Sequence, residues 1–156
     1  MKIRGSLSES AITTFLEEQT IPIRLGCQTP AGHLWMLSLW YRVRTDEDRL
    51  CLECATGAEA DVVSYLTEHP DVAFEVSTNQ PPYAGVRGRG TATVDPDPEK
   101  ETLTALLERY LGGTDSGLAR NLLSDDREEV TITIEPAVVY GWDYADRMRD
   151  TTDDSG

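Results

Sequence analysis

The sequence predicts a mainly β domain: a small barrel of six or seven strands with three or four helices at its rim. Three observations carry this. Period-two alternation of apolar and polar residues recurs in short segments. Strands mostly follow strands through turns, without the crossover helices that a doubly wound parallel sheet demands. The helical patterns are few, and caps or prolines bound them. The 156 residues, 39% apolar and 27% charged, suit one soluble domain with its own core.

The first element is a helix. Ser6 stands three residues before Glu9, the spacing of a capping box, and Ala11, Ile12, Phe15 and Leu16 form an apolar stripe ending near Gln19. "IPIRLGCQT" is a strand and "TPAG" a turn. "HLWMLSLWYRV" reads as one long strand with Trp35, Leu37, Leu39, Tyr41 and Val43 on one face. "RTDEDR" turns the chain into the strand "LCLECA". "TGAEADVVSYLTEHP" is a loop and then a helix, with Val62, Val63 and Leu66 inward and Pro70 past its end; "DVAFEVS" is the next strand.

The stretch "GVRGRG" has the look of a phosphate loop. Such loops place their glycines just before a helix whose amides face the phosphate. Here the segment runs straight into "TATV" and alternates throughout: Val86, Gly88, Gly90, Ala92 and Val94 on one face, Arg87, Arg89, Thr91 and Thr93 on the other. It is a strand, and the dinucleotide reading fails. "DPDPEKETLTALLERYLGG" is a helix with Pro98 near its start and Gly112 at its stop. "SGLARNLLS" adds a short helical segment, and Pro136 divides the last strands, "EEVTITIEP" and "AVVYGWDY". One domain is expected over residues 1–146, with a disordered acidic tail over 147–156.

A net charge of −14 excludes a nucleic-acid partner, which demands clustered cations. Acids spread through every turn and only two lysines, Lys2 and Lys100, suggest a surface adapted to high salt, where self-repulsion is screened. No apolar run is long enough for a membrane span and no secretory signal opens the chain, so a cytoplasmic location is expected. Cys27, Cys51 and Cys54 read as buried thiols. Cys51 and Cys54 alternate to opposite faces of a strand and cannot grip one ion, so no metal site is expected. His33 and His69 sit in a turn and at a helix end, and no nucleophile elbow is present; no catalytic residue is assigned.

The segments "IRLGCQTPAGHLWMLSLWYRV", "LTEHPDVAFEV", "PPYAGVRGRGTATV", "LLERYLGG" and "ITIEPAVVYGWDY" occur in an order that resembles the FMN-binding split-barrel proteins related to pyridoxamine 5′-phosphate oxidase, over about residues 8 to 146. The resemblance implies a split β-barrel, a homodimer, and FMN or a deazaflavin where the subunits meet. It implies that Ser38, Leu39, Trp40 and Arg42 lie near the ring or its chain, that the loop with Thr56 and Gly57 carries phosphate contacts, and that Trp142 approaches from the partner subunit. It also implies a flavin-dependent oxidoreductase acting on a small molecule.

The chain departs from that family at the phosphate loop. The usual basic position falls at Val62, beside Asp61, and no Lys or Arg occurs between Arg49 and Arg87. Amides near Gly57 and Ala58, the Thr56 hydroxyl, and Arg42, Arg87 or Arg89 are the candidate substitutes. The alternative is a cofactor-free or deazaflavin-binding split-barrel dimer that binds a small ligand or is structural. A strict pyridoxamine phosphate oxidase is disfavoured, because "DRMRDTTDDSG" replaces the basic C-terminal substrate segment.

Overall fold

The computed structural model describes residues 1–149. In chain order these form β1 (Lys2–Gly5), α1 (Glu9–Glu18), β2 (Ile23–Gln28), β3 (Leu34–Leu39), β4 (Tyr41–Asp46), β5 (Arg49–Gly57), α2 (Asp61–Glu68), β6 (Asp71–Ser77), β7 (Ala84–Pro96), α3 (Glu101–Leu111), α4 (Gly117–Leu122), β8 (Glu129–Asp143) and α5 (Ala145–Arg149). The strands pair in the order β3-β2-β6-β7-β8-β5-β4, antiparallel throughout, and β1 adds parallel to β8. This is a mainly β, open barrel, as the alternation predicts.

Three elements differ from the sequence reading, each for a local reason. Ser8 rather than Ser6 caps α1, its hydroxyl accepting from the Ala11 N–H at 3.2 Å. The preceding residues are drawn into β1, and the Ser6 N–H donates to the Gly141 carbonyl at 3.0 Å, so the helix starts later. The expected long strand breaks at Trp40 into β3 and β4, which pair with different neighbours, β2 and β5. At the corner the Tyr41 N–H donates to the Tyr110 hydroxyl at 3.3 Å instead of to a strand. Conversely, the two expected final strands are one, β8. Pro136 sits opposite Gly90 at a bulge where Arg89 pairs with Val138, so Ala137 is the extra residue and the missing proline N–H interrupts little.

The alternation across β7 holds: Val86, Gly90 and Ala92 are buried while Arg87, Arg89, Thr91 and Thr93 are exposed. The need for glycine is steric. A Cβ on Gly88 would meet the Val138 carbonyl oxygen and lie 2.8 Å from Phe74 Cζ, and one on Gly90 would meet the Glu135 carbonyl. α3 begins at Glu101, later than Pro98 suggests, because the Asp97 carboxylate accepts from the Glu101 and Thr102 N–H groups at 3.1 and 3.0 Å. Gly112 ends it with φ 74°, in the left-handed region that glycine favours. The expected tail overlaps α5 at residues 147–149; its remainder lies outside the described residues.

The main core cluster comes from α1, α2 and the inner faces of β2, β4, β5, β6, β7 and β8, including Ile12, Leu16, Leu25, Tyr41, Leu52, Phe74 and Ile134, and a smaller one, Leu103, Leu107 and Ala119 from α3 and α4, packs against Trp40. The Tyr41 hydroxyl donates to the carbonyls of Leu16 and Gln19, tying the end of α1 to the barrel, and Arg109 from α3 donates to the same helix end. All three cysteines are buried and free, and burial pushes Cys54 up to about 12, which leaves it without nucleophilic character at neutral pH. No helix among the described residues is long and apolar enough to cross a membrane.

Candidate functional site

The break at Trp40 makes the site. Because β3 and β4 part there, a cleft of about 320 Å³ opens between the corner, the end of β5, and helices α3 and α4. Its walls include Ser38, Leu39 and Trp40 from the corner, Thr56 and Gly57 from β5, and Leu103 and Leu106 from α3. Five of the eight residues singled out in the sequence therefore converge. Trp40 stacks on Tyr110 with ring centroids 5.1 Å apart and planes 8° from parallel, which fixes the indole as one wall. Burial also raises the Tyr110 phenol above its ordinary value, so that hydroxyl stays protonated at neutral pH.

Two residues that sequence reasoning missed line the same cleft: Arg127 and Glu129. The antiparallel pairing of β5 with β8 sets Gly57 opposite Glu129, bringing the start of β8 to the end of β5. Arg127 lies within "SDDREE", which reads as a solvated acidic turn; only the β5–β8 pairing, invisible in local pattern, shows where it goes. The Arg127 Nε donates to Glu129 Oε1 at 3.4 Å; the arginine side chain is 46% exposed and the glutamate side chain 2%. Among the described residues, Arg127 is the one cation and Glu129 the one carboxylate in the wall.

The other singled-out residues lie elsewhere in this chain. The Arg42 guanidinium is held by Glu53, Nε to Oε2 at 2.7 Å, and Arg44 Nη1 reaches the other oxygen at 2.8 Å. Arg42 lines a separate shallow concavity with Glu99, Glu101 and Glu108, not the cleft. Arg87 lies over the rings of Tyr140 and Trp142, at 4.7 and 5.1 Å from their centroids. It belongs to a row that crosses the outer sheet face through directly paired residues, Ser38, Arg24, Glu75, Arg87, Tyr140 and Arg4. Arg89 follows two residues on. Of these, only Ser38 also borders the cleft.

The loop before α2 differs from the expected anion cradle. The Ala58 N–H is given to the Glu128 carbonyl at 2.8 Å and the Ala60 N–H to the Gly57 carbonyl at 3.0 Å. Neither amide is available to a ligand. The residue at the cap of α2, Ala60, has no side chain to contribute, and Glu59 and Asp61 are exposed. The Thr56 hydroxyl has no hydrogen-bond partner among the described residues. No group of three His, Cys, Asp or Glu side chains among the described residues is placed to hold a metal.

No protein-family model matches the chain, and no curated protein matches it. Solved structures do. A conserved hypothetical protein from Mycobacterium tuberculosis superposes with a TM-score of 0.70 at 22% identity, covering 92% of this chain and 91% of that one. An F420 reductase gives 0.65 at 21% identity, covering 80% of this chain and 93% of that one. A putative pyridoxamine 5′-phosphate oxidase from Listeria innocua gives 0.61 at 17% identity, with coverages of 85% and 96%. These likenesses span most of the chain and bear on its architecture: the fold is the split barrel of the pyridoxamine 5′-phosphate oxidase-like proteins.

Proposed function

We propose that the chain binds a flavin-type cofactor in the cleft at Trp40 and works as a flavin-dependent oxidoreductase on a small molecule. The convergence of Ser38, Leu39, Trp40, Thr56 and Gly57 on one cleft carries this reading. The similarity in fold to an F420 reductase and to a putative pyridoxamine 5′-phosphate oxidase supports it. When bound, the flavin or deazaflavin supplies the redox chemistry. The chain's own residues bind and orient it. Trp40, held by Tyr110, offers a flat apolar wall, and Leu39, Leu103, Leu106 and Leu122 exclude water. The Thr56 hydroxyl and the outer nitrogens of Arg127 supply hydrogen bonds to the polar chain.

The protein acts as a homodimer in this reading. The edge strand β3 exposes Leu34 at 84%, Trp35 at 53% and Met36 at 68%, an apolar strip beside the cleft that a second copy would cover. Arg87, exposed and outside the cleft lining in its own chain, is then a candidate to reach the partner's cofactor, whereas Trp142 is 8% exposed and packs against Gly85 and Tyr140. The alternative is a split-barrel dimer that binds a small ligand without a flavin, and the absent phosphate-loop lysine favours it.

Absorption spectroscopy separates the two. Protein purified in high salt is expected to carry a flavin or deazaflavin spectrum that denaturation releases, or to acquire one on adding FMN, riboflavin or a deazaflavin. A colourless protein that takes up none of these, with its Trp emission unchanged, refutes the flavin reading and leaves the alternative.

A further inference from the structure

The hydrogen-bonding inventory of the cleft is unbalanced in an informative way. Glu129 is 98% buried by side chain, yet among the described residues its carboxylate has one hydrogen bond, a long one of 3.4 Å from Arg127 Nε. A carboxylate accepts at about four lone-pair positions, and buried polar groups are as a rule satisfied. The spare capacity faces a cleft whose wall Glu129 forms. Next to it are the outer nitrogens of Arg127, whose Nη2 lies 3.6 Å from where a Cβ on Gly57, the residue paired with Glu129, would stand. This set wants a ligand group that both donates and accepts. A hydroxyl does both; a phosphate dianion only accepts.

Charge points the same way. Arg127 and Glu129 neutralise one another, so the wall offers no net positive charge. The Ala58 and Ala60 amides are spent on the Glu128 and Gly57 carbonyls. A dianion placed here would face a buried carboxylate with a single, already engaged guanidinium between them.

We infer that the cleft selects a flavin whose ribityl chain ends in a hydroxyl over the same flavin ending in a phosphate dianion, with Glu129 as the discriminating residue. The inference rests on the flavin reading above and adds to it which end group the site takes. Glu129 accepts from the terminal or neighbouring hydroxyls of the chain, and Arg127 donates to their oxygens. In these terms the lysine missing at Val62 follows from the ligand.

The test is a pair of titrations, riboflavin and FMN, against the full-length protein, followed by loss of flavin fluorescence at neutral pH and fixed high salt. The wild type is expected to bind riboflavin about tenfold or more tighter than FMN. Glu129→Gln keeps the size and one acceptor but removes the charge. It should tighten FMN by about tenfold and weaken riboflavin, which loses a charged acceptor, so the preference collapses. A wild type that binds both but favours FMN overturns the selectivity alone and leaves the flavin reading standing, as does a folded Glu129→Gln protein with an unchanged ratio. Binding of neither flavin overturns the selectivity, and if a deazaflavin also fails to bind the flavin reading falls with it. The wild-type ratio decides the matter even where the variant fails to fold.

Discussion

Glu53 is the most deeply committed charge in the barrel, and neutralising it has a calculable effect. The side chain is 3% exposed on β5 and accepts from Arg42 Nε at 2.7 Å and Arg44 Nη1 at 2.8 Å. Burial pushes the carboxyl up, but hydrogen bonds from Arg44 and Arg42, with their charges, outweigh it and hold the group below its ordinary value. In Glu53→Gln one oxygen remains to accept, while the amide NH₂ is turned on a guanidinium. Arg44 is 60% exposed, so solvent screens its share, and the loss comes mainly from the more enclosed Arg42 bond. A hydrogen bond to a charged group contributes about 1.5–3 kcal/mol, so the variant should lose about 2 kcal/mol at neutral pH. For a domain of this size that is a fall in Tm of about 4–8 °C.

The pH dependence carries the sharper test. A carboxyl whose folded value is lowered stabilises the fold fully above its unfolded value, near the ordinary 4.5, and the contribution disappears as pH falls through the folded value. The wild type should thus exceed Glu53→Gln by a constant margin from pH 8 to about 5, and the margin should shrink below about 4.5. Urea denaturation across that range measures it. A margin that persists unchanged into acid, or a variant as stable as wild type at pH 7, refutes the assignment of stability to this triad.

Gly88→Ala should destabilise the fold by about 2–4 kcal/mol in urea denaturation, because the new methyl meets the Val138 carbonyl and the Phe74 ring; a neutral result would mean that β7 and β8 are not in this register. Raising salt from about 0.1 M to the molar range should raise Tm, as screening relieves a net charge of −14, and a fall in Tm would refute the proposed salt adaptation. Replacing Leu34 and Met36 together by Lys should turn a dimer into a monomer in sedimentation experiments without lowering monomer stability. A dimer unaffected by both charges would place the contact elsewhere.

The elements with strong local signals were legible in the sequence. The alternation of Val86, Gly88, Gly90 and Ala92 against Arg87 and Arg89 identifies β7 and dismisses the phosphate loop, and Gly112 marks the end of α3 in the expected conformation. What was not legible depends on pairing. β1 is four residues long and has no pattern of its own; it exists because β8 offers an edge. The corner at Trp40 leaves no trace in the alternation of "MLSLWYRV", since both halves keep period two while changing partners. Pro136 looks like a strand terminator until Gly90 and the bulge accommodate it. The candidate site divides in the same way. Ser38, Leu39, Trp40, Thr56 and Gly57 belong to segments that the family resemblance marks, whereas Arg127 and Glu129 enter only through the β5–β8 register.

The corner at Trp40 has a mechanical consequence. β3 and β4 are the two ends of the paired strand order, yet one residue joins them covalently. The open barrel is bridged at that corner by a single stretch of main chain, by the Trp40–Tyr110 stack and by the Tyr41 N–H bond to the Tyr110 hydroxyl, and β3 and β4 do not pair with one another among the described residues. A molecule in the cleft would touch the end of β3, the corner residue Trp40, the end of β5 and helices α3 and α4, and so would brace the corner from one side. Amides at the end of β3 and the end of β5 should therefore slow their hydrogen exchange together when the cleft fills.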